Sequence, residues 1–192
     1  MSILIARHGE TVSNATRIVQ MPDAALSERG RLQADRLAAR LATLGVAAIV
    51  ASDYLRAVET AERVRLSTGA PLELWPELRE RNFGALRGRS HDSFDFDVYA
   101  VGYDPPDGEG WDSFQARMIV VWARIRERAA VTAGNLAVIT HGLVLHGLAE
   151  HFVTVSVEDL PVQWPNASLT IVSSQPPYAP ELLGSIEHLS GI

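Results

Sequence analysis

The chain has 192 residues, a hydrophobic fraction of 47%, a charged fraction of 21% and a net charge of -6. That length supports one domain (1–192) with a sizeable core, and the acidic balance excludes a general nucleic-acid binder, which needs a basic footprint. Cysteine and lysine are both absent, so a cysteine nucleophile, cysteine-ligated zinc, disulfides, a Walker-type phosphate loop and a Schiff base all drop out.

All 17 basic residues are therefore arginines, planar guanidiniums suited to gripping phosphate or carboxylate with paired N–H groups. No apolar run reaches the length of a membrane span. The N-terminus lacks a basic segment and a signal-type cleavage site, which sets a cytoplasmic location and no membrane partner as the expectation.

In chain order, Ser2–Ala6 (SILIA) reads as a central parallel strand buried on both faces. Ser27 is placed to cap a helix running to about Leu44, with Leu37, Leu41 and Leu44 on one face and Gly45 as its stop. Ala47–Ala51 (AAIVA) reads as a second buried strand, after which Ser52 or Asp53 caps a helix to about Leu66. Leu72–Leu74 reads as a short strand before Pro76. Arg87–Gly110 has no regular period and is rich in acids and aromatics, so it reads as a functional loop segment covering a site. Trp111 to about Ala133 carries a long amphipathic stripe through Phe114, Met118, Val121, Ile125 and Ala129. Leu136–Thr140 (LAVIT) reads as a third buried strand, with a helix from Gly142. Ala167–Ser173 and Gly184–His188 read as late strands, antiparallel at one edge, and the intervening tract 175–180 as a surface loop. Alternating strands and helices imply an α/β fold, a three-layer α/β/α sandwich with a mostly parallel central sheet.

Two histidines share one local pattern. His8 follows the first strand and precedes Gly9; His141 follows the third and precedes Gly142. In a parallel sheet both fall at carboxyl ends of strands, where open α/β sheets place their ligands. Arg7 precedes His8, and Arg56 sits one turn into the helix after the second strand. Two imidazoles and two guanidiniums converging on a cleft point to a compact anion such as phosphate. The alternative for each residue alone is a hydrogen-bonded core histidine or a solvated arginine. A metal site at His141, His146 and His151 is disfavoured by their i, i+5, i+10 spacing, because a helical pair needs i, i+4.

These motifs resemble the histidine phosphatase superfamily in its phosphoglycerate-mutase-like form. The resemblance rests on RHGET (Arg7–Thr11) with Asn14, on Asp23–Ala34, Ser52–Ala61, Glu77–Gly88, Gly108–Gly110, Ile139–Leu148 and Asn166–Val172. It implies that His8 is the nucleophile, that Arg7, Arg56 and His141 hold the phosphoryl oxygens, and that Glu80 is the proton donor. It further implies that Asn14 and backbone N–H groups near Gly142 and Leu143 complete the pocket, with Gln20 and Glu109 near the substrate. Met21, Gly110, Thr140 and His146 depart from residues common in the family.

The resemblance implies a phosphohistidine intermediate and no cofactor or metal, since arginine charge replaces the cation. The acids between Asp92 and Glu109 would repel a second anionic group if they faced the cleft, so a small phosphorylated metabolite with a mostly neutral body is the expected partner. Hydrolysis of its monoester is the expected reaction. A phosphoglycerate mutase-type transfer, suggested by Arg79–Gly84 (RERNFG), and a non-catalytic phosphate-binding protein are the alternatives. Trp164 and Pro165 with the late strands suit a homodimer interface or closure of the core equally.

Overall fold

In the computed structural model, which describes residues 1–161 and 163–192, six strands form one sheet. In chain order the elements are β1 (Ser2–Arg7), α1 (Val12–Ala15), α2 (Glu28–Ala42), β2 (Val46–Ala51), α3 (Leu55–Thr68), β3 (Leu72–Leu74), α4 (Trp111–Ala130), β4 (Asn135–Thr140), α5 (Gly142–Phe152), β5 (Leu169–Ser173) and β6 (Pro180–Ser185). Spatially the sheet runs β3-β2-β4-β1-β5-β6. The first four of these strands are mutually parallel, β5 adds antiparallel to β1, and β6 adds antiparallel to β5. The expected sandwich and its antiparallel edge are both present.

The strands read as continuous apolar runs because helices cover both faces. Side chains alternate across a strand, and the two cores divide accordingly. Ile3, Ile5, Leu136, Val138 and Val50 pack with Phe114, Met118 and Val121 of α4 and Val144 and Leu148 of α5. Leu4, Ala6, Ala137, Ile139 and Ile49 pack on the other side with Leu37 and Leu41 of α2 and Ala61 and Val64 of α3. Truncating one of the larger of these side chains to alanine costs about 2–5 kcal/mol.

Several boundaries differ from the sequence reading, each for a local reason. Ser27 caps α2 as expected, its hydroxyl accepting the Gly30 N–H at 2.9 Å. Neither Ser52 nor Asp53 caps α3. Tyr54 holds that position without a side-chain cap, the Ser52 hydroxyl reaches the Tyr54 N–H and no N–H of the helix's first turn, and Asp53 is taken by Arg79. Helix α4 stops at Ala130, where Val131 leaves helical geometry, instead of reaching Ala133. The last strand is Pro180–Ser185 instead of Gly184–His188, and His188 lies in a single 3-10 turn.

One contact fixes the loop after β1. A Cβ on Gly9 would lie 2.4 Å from the Gly30 carbonyl oxygen, and one on Gly30 would lie 1.9 Å from the Glu10 oxygen. The start of α2 thus abuts the backbone beside His8 so closely that only glycine fits on either side.

Candidate active site

The sheet register assembles the site. Arg7 pairs with Thr140 across β1 and β4, so the next residues, His8 and His141, emerge side by side. The ladder continues past the strand ends, with His8 N–H donating to the Thr140 carbonyl at 3.0 Å and Ser52 N–H to the Ile139 carbonyl at 3.0 Å. β4 therefore presents His141 between His8 and Ser52. The two imidazoles lie 5.1 Å apart, and His141 Nε2 is 2.8 Å from Ser52 Oγ.

The partners of His8 settle its tautomer. Nδ1 lies 2.6 Å from the Gly9 carbonyl oxygen, which can only accept, so Nδ1 carries the proton. Nε2 receives the Nε–H of Arg56 at 3.2 Å, which can only donate, so Nε2 holds a lone pair. Burial, helped by the charges of Arg56 and Arg7, holds His8 well below the usual imidazole range. His8 is thus a neutral imidazole with its free nitrogen aimed at a guanidinium, the form a nucleophile requires.

Arg56 is delivered by the first turn of α3 and is 1% exposed. It also donates to the Met21 carbonyl at 3.0 Å, and burial lowers its pKa to about 10, leaving it charged at neutral pH. Arg7 donates Nη1 to the Trp164 carbonyl. His141 is fully buried, and burial together with Arg56 depresses it well below the ordinary value.

Two buried nitrogens here, Arg7 Nε and His141 Nδ1, have no hydrogen-bond partner among the described residues. Buried polar atoms are nearly always satisfied. Two unsatisfied nitrogens flanking a neutral histidine are what an incoming oxyanion would complete. The N-terminus of α5 adds its positive dipole end at Gly142 and Leu143. Gly142 lies against Arg7, the nearest guanidinium atom being 3.6 Å from where its Cβ would stand.

Glu80 closes the ring of groups. Its Oε2 accepts the Leu143 N–H at 3.2 Å and its Oε1 the Arg81 N–H at 3.0 Å. It is half-buried and lines a cleft of about 540 Å³ with Pro22, Tyr54, Arg79 and Arg87. The carboxyl thus sits between the α5 N-terminus and solvent-reachable space.

The remaining sequence candidates occupy a supporting ring. Asn14 Oδ1 accepts from Thr11 N and from Asn166 Nδ2, both at 3.2 Å, and Asn166 Nδ2 also reaches the His8 carbonyl at 3.2 Å. Gln20 Oε1 accepts the Thr11 hydroxyl at 2.8 Å. Glu109 lies in the cleft wall, its two oxygens held by Arg117 at 2.7 and 2.8 Å. Of the metal alternative, His141 faces Ser52 while His151 meets Gln115 at 2.7 Å on the surface. Among the described residues no group of three or more potential metal ligands is gathered.

Of the acids between Asp92 and Glu109, only Glu109 lines the cleft, and it is paired with Arg117. None of Asp92, Asp95, Asp97, Asp104 or Asp107 lines the cleft. Asp92 pairs with Arg17, Asp97 accepts the Tyr99 N–H, and Asp104 accepts the Trp111 N–H. The segment is tied down from below by Arg81, which donates to the carbonyls of Glu109 and Tyr103 and lies 5.2 Å from the Trp111 ring. A small cluster of Val19, Phe83, Leu86 and Val98 packs beneath it.

Sequence reasoning missed Ser52, Tyr54, Arg81 and Asn166. Ser52 was findable, because it obeys the same strand-end rule as the two histidines. Tyr54 was not: its ring contacts His141 at 5.5 Å and three guanidiniums, which no local pattern reports.

Fold and site together define an α/β protein with a buried neutral histidine beside arginine side chains at the carboxyl edge of its parallel strands. A sequence profile of the histidine phosphatase superfamily (branch 1) matches residues 3–179, and the chain belongs to that family. It is 29% identical over 211 aligned positions to the probable phosphoglycerate mutase GpmB of Enterobacter sp. (strain 638), covering 98% of this chain and 95% of that protein. Against GpmB of Erwinia tasmaniensis it is 40% identical over 94 residues, which is 48% of this chain and only 44% of that relative's length. Among solved structures it resembles Bacillus stearothermophilus YhfR, with 30% identity, 98% of each chain covered and a TM-score of 0.81. It also resembles the mycobacterial glucosyl-3-phosphoglycerate phosphatase Rv2419c in complex with VO3, with 27% identity, 90% of each chain covered and a TM-score of 0.77.

Proposed function

We propose that this protein is a metal-independent phosphomonoesterase acting on a small phosphorylated metabolite through a phosphohistidine on His8. The observation that carries the reading is the tautomer: His8 Nδ1–H is committed to the Gly9 carbonyl, leaving Nε2 free beside Arg56 and within one ring of His141. In the first step the Nε2 lone pair attacks phosphorus and the ester P–O bond breaks. The leaving alkoxide is a strong base and takes the proton of Glu80. Arg7, Arg56 and His141 carry the charge on the phosphoryl oxygens. In the second step Glu80 removes a proton from water, which attacks the phosphohistidine, releases phosphate and restores His8.

Hydrolysis is preferred over transfer because Glu80 lines an open cleft that water can enter. The name of one structural neighbour, a phosphatase, agrees with that preference. The phosphoglycerate mutase reading is kept on a specific ground: a relative matching 98% of this chain carries the name probable phosphoglycerate mutase. Segment 87–110 contributes Arg87 and Glu109 to the cleft and packs Val98 on Phe83 and Leu86, which supports a role for it at the edge of the site.

One assay tests the reading. With a chromogenic aryl phosphate in the presence of a chelator, the wild type releases phosphate and His8→Ala does not. Activity lost on chelation overturns the metal-independent step. Fast interconversion of phosphoglycerates with little phosphate release overturns hydrolysis in favour of the mutase. Tight phosphate binding without turnover of any ester leaves a binding protein.

A further inference from the structure

The rim of the cleft holds three guanidiniums, and they are not equivalent. Arg79 is spent on Asp53, bidentate at 2.6 and 2.5 Å. Arg117 is spent on Glu109, bidentate at 2.7 and 2.8 Å, and on the carbonyls of Glu77 and Arg79. Arg87 differs. Among the described residues no carboxylate lies within salt-bridge distance of it, and its one side-chain hydrogen bond runs from Nη2 to the Tyr54 hydroxyl at 2.8 Å. It is half-buried, so it is neither a freely solvated surface cation nor a neutralised one.

Tyr54 links this cation to the phosphoryl pocket. Its ring centroid lies 5.5 Å from that of His141, 5.1 Å from Arg56 Cζ and 5.9 Å from Arg87 Cζ. A single phenol ring therefore spans from the floor of the site to Arg87. The hydroxyl that Arg87 grips orients its guanidinium and leaves Nε and Nη1 without side-chain partners. A planar fork of this kind matches the two oxygens of a carboxylate or phosphate. Of the acids of the 92–107 segment, which would have opposed such a group, Asp92, Asp97 and Asp104 are turned to other partners and none lines the cleft.

We infer that Arg87, oriented by Tyr54, is a specificity-determining residue that binds a second oxyanion on the substrate, a few bonds from the reacting phosphoryl group. The inference rests on the phosphoryl-transfer reading above. It replaces a substrate with a neutral body by one carrying a carboxylate or a second phosphate.

Three small monoesters test it: 2-phosphoglycolate, propane-1,3-diol bisphosphate and the neutral-bodied glycerol 2-phosphate. For Arg87→Gln the expected result is a loss of kcat/KM of about 10- to 100-fold on whichever oxyanion ester the site prefers, carried mainly by KM. The loss on glycerol 2-phosphate stays under about threefold. The ester that loses more names the oxyanion. Arg87→Lys restores part of the loss, and Tyr54→Phe, which removes only the orienting hydroxyl, gives a smaller loss with the same selectivity. Equal losses on all three esters, or no loss on any, overturn the inference. If the wild type hydrolyses none of them, the catalytic reading is decided separately by the aryl phosphate assay above. Calorimetry with 2-phosphoglycolate, the bisphosphate and inorganic phosphate then decides the role of Arg87. Weaker binding of either oxyanion ester by Arg87→Gln, with inorganic phosphate unchanged, upholds it, and unchanged binding of all three overturns it.

Discussion

The floor of the site and its rim are built by different physics. The floor is an extension of the sheet: His8, His141 and Ser52 sit at adjacent strand ends, their spacing set by the β1–β4 and β2–β4 register. They are 1% exposed or less, and the imidazoles are kept neutral by burial and by nearby arginines. The rim is a set of side-chain pairs, Arg79 with Asp53 between two loops 26 residues apart and Arg117 of α4 with Glu109 in the irregular segment just before that helix. The floor has one arrangement that the backbone enforces. The rim has one that depends on each ion pair holding. The proposed chemistry belongs to the first and the proposed substrate choice to the second.

The largest effects come from the floor. His8→Ala lowers phosphate release at least about a thousandfold, because the lone pair that forms the intermediate is gone. Arg56→Ala lowers kcat about 10²- to 10³-fold. It also raises the pKa of His8, since the Arg56 charge is one cause of the depression, and the ring proton shifts of His8 in an NMR titration report this directly.

Stability against pH probes the same burial. His8 and His141 are both depressed in the folded chain, so below about pH 6.5 the unfolded chain binds protons that the folded chain does not. Their contribution is fully present above that pH and is lost as pH falls towards their folded values, by up to about 1.4 kcal/mol per pH unit for each. Denaturant midpoints measured from pH 7 to pH 5 fall, and they fall less steeply in His141→Asn.

The rim responds more weakly. Glu109→Gln leaves the largely buried Arg117 without its bidentate partner and costs about 1–2 kcal/mol in thermal unfolding, with KM rising more than kcat falls. A double-mutant cycle on Arg17 and Asp92, two-thirds exposed on both sides, gives a coupling under about 1 kcal/mol. A larger coupling there would mean that the outer segment is clamped as firmly as the floor, and the contrast between the two regions would collapse.

The same division explains what the sequence made legible. SILIA and LAVIT announce buried parallel strands, and a residue at the end of such a strand has a known destination. His8, His141, Arg7 and Arg56 could therefore be assigned to one cleft from local pattern alone. Asp92, Asp97 and Asp104 could not be placed. Their partners, Arg17 and the backbone N–H groups of Tyr99 and Trp111, follow from turn geometry and long-range packing that composition does not encode. Reading them as one charged surface led to a neutral substrate body, whereas each acid is consumed locally. The end of the last strand failed for a similar reason. Pro180–Ser185 has little alternation, and pairing with β5 overrides its weak propensity.

The mutual fit of Gly9 and Gly30 also bears on how such a protein can diverge. No side chain can be added on either side of that seam without pushing two backbones apart. Mutational drift is barred from the immediate flank of His8, and under the proposal above a change of substrate falls to rim positions such as Arg87. The seam thus works as a ratchet, holding the proposed reaction in place while its substrate can change.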